Sequence, residues 1–278
     1  MRLGIASALP HRTPEEFAEK HRALGCGAVT FPVDHTVPDG VIDAYARACK
    51  AYDLSIAEVG AWSNPFSTDP DTAEKALILM KNQLQLAERV GARCCVNIAG
   101  GCGEVWDGGY AENYAEDTRR RLIDMVREII DEVKPTRTHY SLEPMPWMLP
   151  DSPECYLTLL EEIDRPGFGV HLDVVNMINN PGRYFQNTAF INRCFRVLKG
   201  RILSCHAKDI QLQRTLTLHL KEVPCGQGAL DLETYMAEAH AADPDMPFMI
   251  EHLSTTEEYI ESFAYLKGIA EKADISLR

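Results

Sequence analysis

The sequence has no uninterrupted apolar run near the ~20 residues that a membrane span requires, although 45% of its 278 residues are hydrophobic. No membrane partner is expected. The start, MRLGIASALPHRT, also lacks an apolar stretch of signal-peptide length, so the cytoplasm is the expected compartment. Nine cysteines are present without a single C-x-x-C pair, and Cys94 and Cys95 are adjacent. That pattern argues against a zinc ribbon and a disulfide framework alike, and leaves reduced, mostly buried thiols. Positive charge is scarce: 28 Lys and Arg face 41 Asp and Glu, a net charge of −13. The one basic cluster, Arg119 to Arg121, stands among Glu116, Asp117 and Asp124 in a helical pattern. Such a surface repels phosphate backbones, and no nucleic-acid partner is expected. Finally, no Gly/Ser-rich linker divides the chain, and no G-x-G-x-x-G follows its first strand-like run.

What is there is an alternation. Short apolar runs occur at 3–7, 27–33, 54–62, 92–100, 138–144, from 169, 200–209 and 247–253, each followed by a stretch of helical character. Helix starts are marked by cap-and-proline pairs such as Thr13-Pro14 and Ser152-Pro153, and Gly91 ends the long helix of about 70–90. Further helices are expected over about 38–52, 112–133 and 184–198, from near Asp231, and from a Ser254 cap. Segment 210–229 reads as a long loop. Eight strands and eight helices in strict alternation match a parallel (β/α)8 TIM barrel over residues 1–278 as one domain. An open doubly wound sheet is the alternative, because strand count alone does not prove closure.

In such a barrel the chemistry sits at the C-terminal ends of the strands. Four successive strands end there in metal-ligand types: Glu143, Asp173, His206 and Glu251. Crowded carboxylates repel one another, and a cation relieves the repulsion. Three carboxylates and one imidazole form an oxygen-rich set that suits Mn²⁺, Mg²⁺ or Co²⁺ better than a closed structural zinc. His171 lies two residues before Asp173 and faces the same side, one layer deeper. It is a support for a ligand carboxylate, a substrate contact or a core histidine. Lys208, two after His206, points into the same mouth, where it could hold a substrate group or pair with Asp209 or Glu222. Trp62, Asn97 and Asn176 complete the candidate substrate contacts. Aromatic and apolar loop residues, Trp62, Phe66, Trp106, Trp147 and Met148, would accommodate more than a free sugar or else pack a lid.

The motifs SLEP (141–144), GVHLD (169–173), CHAKD (205–209), VPCGQGALD (223–231) and FMIEH (248–252) occur in an order and spacing that resemble one family. EVGAW (58–62) and LAERVGA (86–92) add weaker support. The chain resembles, over essentially its whole length, the sugar phosphate isomerase/epimerase group of xylose isomerase-like barrels, which includes ketose 3-epimerases, inosose dehydratase and hydroxypyruvate isomerase. The resemblance implies one divalent metal, Mn²⁺ first with Co²⁺, Mg²⁺ or Zn²⁺ as alternatives, held by Glu143, Asp173, His206 and Glu251. It further implies that Glu143 and Glu251 serve as acid and base on opposite faces of a sugar or sugar-derived substrate, through an enediolate. Assembly as a dimer or tetramer stays open.

The sequence departs from the ketose 3-epimerases at three places. Asn176 stands where those enzymes keep a substrate-holding histidine, Leu212 where they keep an arginine, and Leu149 where they keep a substrate-contacting glutamate. A metal-dependent lyase or dehydratase acting on an inosose or keto-sugar derivative is therefore the alternative, since it begins with the same proton abstraction. An abasic-site endonuclease of the related repair group would need additional strand-end histidines, where strands two to four offer Phe31, Glu58 and Asn97. A non-catalytic sugar-binding subunit has no need of both Glu143 and Glu251.

Overall fold

The computed structural model describes residues 1–278. Eight parallel strands close into a barrel: β1 (Arg2–Ile5), β2 (Ala28–Thr30), β3 (Ser55–Gly60), β4 (Cys94–Asn97), β5 (Tyr140–Leu142), β6 (Phe168–Asp173), β7 (Ile202–Ala207) and β10 (Pro247–Ile250), with β10 pairing back onto β1. Closure excludes the open-sheet alternative. The connecting helices are α1 (Pro14–Leu24), α2 (Asp39–Ala51), α3 (Pro70–Val90), α4 (Glu116–Val133), α5 (Pro153–Ile163), the short α6 (Val174–Met177) and α7 (Pro181–Phe185), α8 (Asn187–Val197), α9 (Leu232–Ala242) and α10 (Thr256–Lys272). None is long and apolar enough to cross a membrane.

Local chemistry explains where the helices begin. Thr13, Asp69, Ser152 and Asn180 each accept a backbone N–H in the first turn and are each followed by proline. Proline suits that place because its missing N–H would have no intrahelical partner and its fixed φ is already helical. Gly25 and Gly91 end α1 and α3 at φ of 103° and 72°, a region that glycine enters without a Cβ penalty. Inside the barrel floor, Gly4 is required by close approach: a Cβ there would lie 2.3 Å from the Ala28 carbonyl oxygen and 2.7 Å from the Met249 sulfur.

Three expectations are corrected. The closing helix is capped by Thr255, not Ser254: the Thr255 hydroxyl accepts from Glu258 N, and the Glu258 carboxylate accepts from Thr255 N in return. The helix expected over 184–198 is two helices, α7 and α8, broken at Gln186. Segment 210–229 is not a plain loop. It carries an antiparallel hairpin, β8 (Asp209–Leu212) with β9 (Leu220–Val223), standing above the barrel mouth.

Candidate metal centre

The parallel register sets the site. β6 and β7 pair with Asp173 beside His206, and β10 lays Met249 beside His206 from the other side. Glu143 directly follows β5, its N–H donating to the Asn97 carbonyl (2.8 Å), and Glu251 directly follows β10. Two buried tyrosine hydroxyls clamp the strands below this layer. Tyr156 donates to the Leu142 carbonyl (2.8 Å) between β5 and β6, and Tyr235 to the Leu172 carbonyl (3.0 Å) between β6 and β7.

Glu143, Asp173, His206 and Glu251 converge so that one ligating atom from each lies within 4.8 Å of all the others. All four are buried. His206 Nδ1 is 2.7 Å from Glu251 Oε1, 3.5 Å from Glu143 Oε1 and 3.8 Å from Asp173 Oδ2. Whether this set fits a cation is decided by its unspent atoms. Asp173 Oδ2, His206 Nδ1 and Glu251 Oε1 are all buried without an aligned hydrogen bond, and all three face the same point. Lys208 Nζ lies 2.8 Å from Asp173 Oδ2 and 2.5 Å from Glu251 Oε1, close enough for charge attraction but outside hydrogen-bond alignment. Four buried carboxylates, counting Glu58, thus face one ammonium and the His206 imidazole inside the cluster, with the neutral His171 against Glu58 (3.6 Å) and the exposed His252, itself beside Glu222, at 3.9 Å from Glu251. Within the buried cluster, two negative charges stay unbalanced even with His206 protonated. A divalent cation supplies that balance, and the hard oxygen donors fit one.

The electrostatics follow from burial and crowding. Burial raises the Glu143 carboxyl and the Glu251 charge raises it further, so it stands above the ordinary carboxylate range. Burial also raises Glu251, but the charges of His206 and Lys208 outweigh it and hold that carboxyl well below the range. For His206 and Lys208 burial disfavours the charged form, and the surrounding carboxylates overcome it, raising both well above their usual values. His171 goes the other way. Burial and the neighbouring His206 charge lower it to about 3, so it is neutral.

The candidate substrate contacts divide. Trp62 lines the cleft over the cluster, and Asn176 donates to Glu143 Oε1 (2.9 Å) and lines the adjoining part of the cleft. Lys208 pairs with neither Asp209 nor Glu222; its ammonium sits among the carboxylates. Asn97 is turned away from the cleft: its carbonyl oxygen accepts from Ser63 N (3.1 Å) and its amide donates to Ser63 O (3.1 Å), which fastens the loop after β3. His171 lies under the ligand layer, fully buried, with Nδ1 2.6 Å from Ser204 Oγ and its ring edge-on to His206 at 4.0 Å. A substrate in the cleft meets neither of these two side chains.

One residue of the site carried no role in the sequence. Glu58, from the middle of β3, accepts from His206 Nε2 (3.2 Å) and from Thr30 Oγ1 (2.9 Å). A carboxylate behind a ligating imidazole fixes its tautomer and orientation. Here it accepts the hydrogen bond of Nε2–H, so that Nδ1 is the ring nitrogen turned toward the cluster and would offer its lone pair to a cation. A lone glutamate within the apolar run SIAEVG was the available signal.

Fold and centre together define a xylose isomerase-like TIM barrel with a carboxylate–histidine site at its mouth, and the chain belongs to that family, whose model matches residues 18–269. Among curated proteins it is similar to the L-ribulose-5-phosphate 3-epimerase UlaE of Salmonella paratyphi C, 26% identical over 195 residues, which is 69% of this chain and 61% of the relative's length. Two solved structures share the fold. The probable 3-DHS dehydratase AsbF from Bacillus anthracis superposes with a TM-score of 0.73 at 16% identity, covering 97% of this chain and 99% of the other. A xylose isomerase-like TIM barrel protein from Mycobacterium smegmatis in complex with magnesium gives 0.68 at 16% identity, covering 93% and 88%.

Proposed function

We propose that this protein is a divalent-metal-dependent epimerase or isomerase of a keto-sugar, with Glu143 and Glu251 as its proton-transfer pair. The observation that carries the reading is the convergence of Glu143 and Glu251 from strands separated by β6 and β7, so that two carboxylates approach one point from two sides. A cation held by Glu143, Asp173, His206 and Glu251 would offset the negative charge that develops on the substrate oxygens as the proton leaves. The proton chemistry belongs to the side chains. One carboxylate takes the hydrogen from the carbon next to the carbonyl, the C–H electron pair passing toward the carbonyl oxygen. The other returns a proton to the opposite face, and the carbon is inverted. Lys208, buried beneath the cleft, keeps three carboxylates close together. The curated relatives are 3-epimerases by name, which supports this reading, and Mn²⁺ in the cytoplasm is the expected setting.

The test is solvent-deuterium incorporation into keto-sugars by the Mn²⁺-loaded protein, read by mass spectrometry. Incorporation at the carbon next to the carbonyl is expected, with Glu143→Gln and Glu251→Gln each slowed by about 10²–10⁴. Full activity in Glu251→Gln would sink the two-carboxylate mechanism, and stoichiometric Mn²⁺ in Asp173→Ala would sink the ligand set. A lyase or dehydratase is the second reading, favoured by the probable dehydratase among the fold neighbours; dehydration is distinguished by a product lighter than the substrate by one water.

A further inference from the structure

The cleft above the cluster has two lobes. The inner one, about 450 Å³, is bounded by Glu143, Glu251, Trp62, Trp106 and Tyr259. The outer one, about 490 Å³, is walled by Trp147, Val175, Ile178, Ile210, Leu218 and Leu220. Asp107, Met145 and His252 line both, so the two are one cleft with a waist. Each lobe alone lies within the ~300–1,000 Å³ that enclose an ordinary small ligand. A free pentose or hexose engaged at the carboxylates leaves the outer lobe to water.

We infer that the substrate is an uncharged, two-part molecule: a keto-sugar in the inner lobe joined to an apolar or second-ring group in the outer one. This rests on the keto-sugar reading above and goes beyond it. Three observations on the lining support it. First, the chain has only three tryptophans, and Trp62, Trp106 and Trp147 all line this cleft, exposed by 43%, 41% and 44%. Large apolar surface kept in water at one place marks a binding surface, and flat indole faces suit the C–H faces of sugar rings and aromatic groups alike. Second, no lysine or arginine lines either lobe. Lys208 beneath them is ringed by Asp173, Glu251 and Glu143, and Lys75 lines a separate groove beside Trp62 and Trp106. A phosphate is bound by arginine, lysine or converging N–H donors; here it would meet the carboxylates of Asp107 and Glu222, and His252 is already 3.5 Å from Glu222. Third, part of the outer wall comes from the hairpin: Leu220 packs against the core beside the cleft, and Leu218, in the turn before it, keeps a half-exposed apolar side chain on the same wall.

A chemical corollary follows if the two parts are joined by a glycosidic bond. The anomeric carbon is then locked as an acetal, so the carbonyl required for proton abstraction sits at another ring carbon. The reaction that supplies such a substrate oxidises a ring hydroxyl of a glycoside.

The experiment compares deuterium uptake by the Mn²⁺-loaded protein in four compounds: a free ketohexose, its phosphate ester, and the methyl and aryl glycosides of a sugar oxidised at a ring carbon. The aryl glycoside is expected to exchange with kcat/KM about tenfold or more above the free ketose, and the phosphate ester about tenfold or more below it. Leu218→Arg, a change on a half-exposed wall residue, is expected to move the ratio of aryl glycoside to phosphate ester at least about tenfold toward the phosphate. Equal or faster exchange of the phosphate ester, or a free ketose as good as the aryl glycoside, overturns this inference and leaves the epimerase reading standing. No exchange in any of the four, with Mn²⁺ bound, overturns both.

Discussion

His206 is held between two kinds of carboxylate, and the difference between them is functional. Glu58 lies behind the ring on Nε2, while Glu143, Asp173 and Glu251 face Nδ1. Glu58→Gln keeps a hydrogen-bond acceptor but removes the charge that favours the correct tautomer. Mn²⁺ affinity is expected to fall about 10–100-fold, measured by calorimetric titration, with an unchanged circular dichroism spectrum. An unaltered affinity would show that Glu58 is only filling space. At this scale the four strand-end ligand types were legible because each follows an apolar strand. The roles of Glu58, Asn97 and His171 were not, because a side chain's partner across the barrel is set by register rather than by its neighbours in sequence. Asn97 looks like a mouth residue until Ser63 is seen to take both ends of its amide.

Among the elements, the segment after β7 is held by one side chain. Asp209 Oδ2 accepts from the N–H groups of Gly226 (3.0 Å) and Gly228 (2.9 Å), and Oδ1 from Ile210 (2.8 Å) and Leu230 (2.9 Å). Four backbone donors on one buried carboxylate fasten the segment that returns from the hairpin to α9. They also explain two motifs at once, since CHAKD supplies the carboxylate and CGQGALD three of the four donors. Gly228 is required there: a Cβ would lie 2.2 Å from Asp209 Oδ1. Asp209→Asn removes the charge and presents donors to donors, and is expected to cost about 3 kcal/mol in urea unfolding. A loss below about 0.5 kcal/mol, the ordinary range of surface substitutions, would contradict the clamp. Thr255→Ala opens the capping box of α10 and is expected to cost about 1 kcal/mol by the same measurement. The hairpin was missed as a loop, yet its signal was present: IQLQRTLTLHL alternates apolar and polar residues along almost its whole length, the period of a strand with one covered face. The cap was displaced by one residue because serine ranks above threonine as a cap type, while the backbone geometry places Thr255 at the helix start.

For the molecule as a whole, pH acts through histidines that folding keeps neutral. Burial lowers His21, on α1, and His171, the latter to about 3. Unfolded, each titrates near 6.5. Below about pH 6.5 the unfolded chain therefore binds protons that the native protein refuses, and stability falls as the pH drops toward the lowered native values, by up to about 1.4 kcal/mol per pH unit for each histidine. His206 works oppositely: its raised value means that the metal-free native state gains stability as the pH falls toward 6.5 from above. In the presence of EDTA, urea midpoints are expected to decline between pH 6.5 and 4.5, and His21→Gln to flatten that decline. A midpoint that stays level would refute the neutral buried histidines.

The sequence by itself determined the alternation of strands and helices, the caps that start the helices, and the four strand ends that carry metal-ligand side chains. All of these are written in patterns a few residues long, where backbone conformation and side-chain direction are fixed locally. Only the tertiary structure decided what those side chains meet. Closure of β10 onto β1 and the register of β6 on β7 bring Glu143, Asp173, His206 and Glu251 to one point, put Glu58 behind the imidazole, and set Lys208 among the carboxylates instead of beside Asp209. The hairpin then raises an apolar wall beside them and gives the cleft its second lobe. Contacts of this kind join residues scores of positions apart, and their distances come from how the barrel closes, which no local pattern in the chain contains.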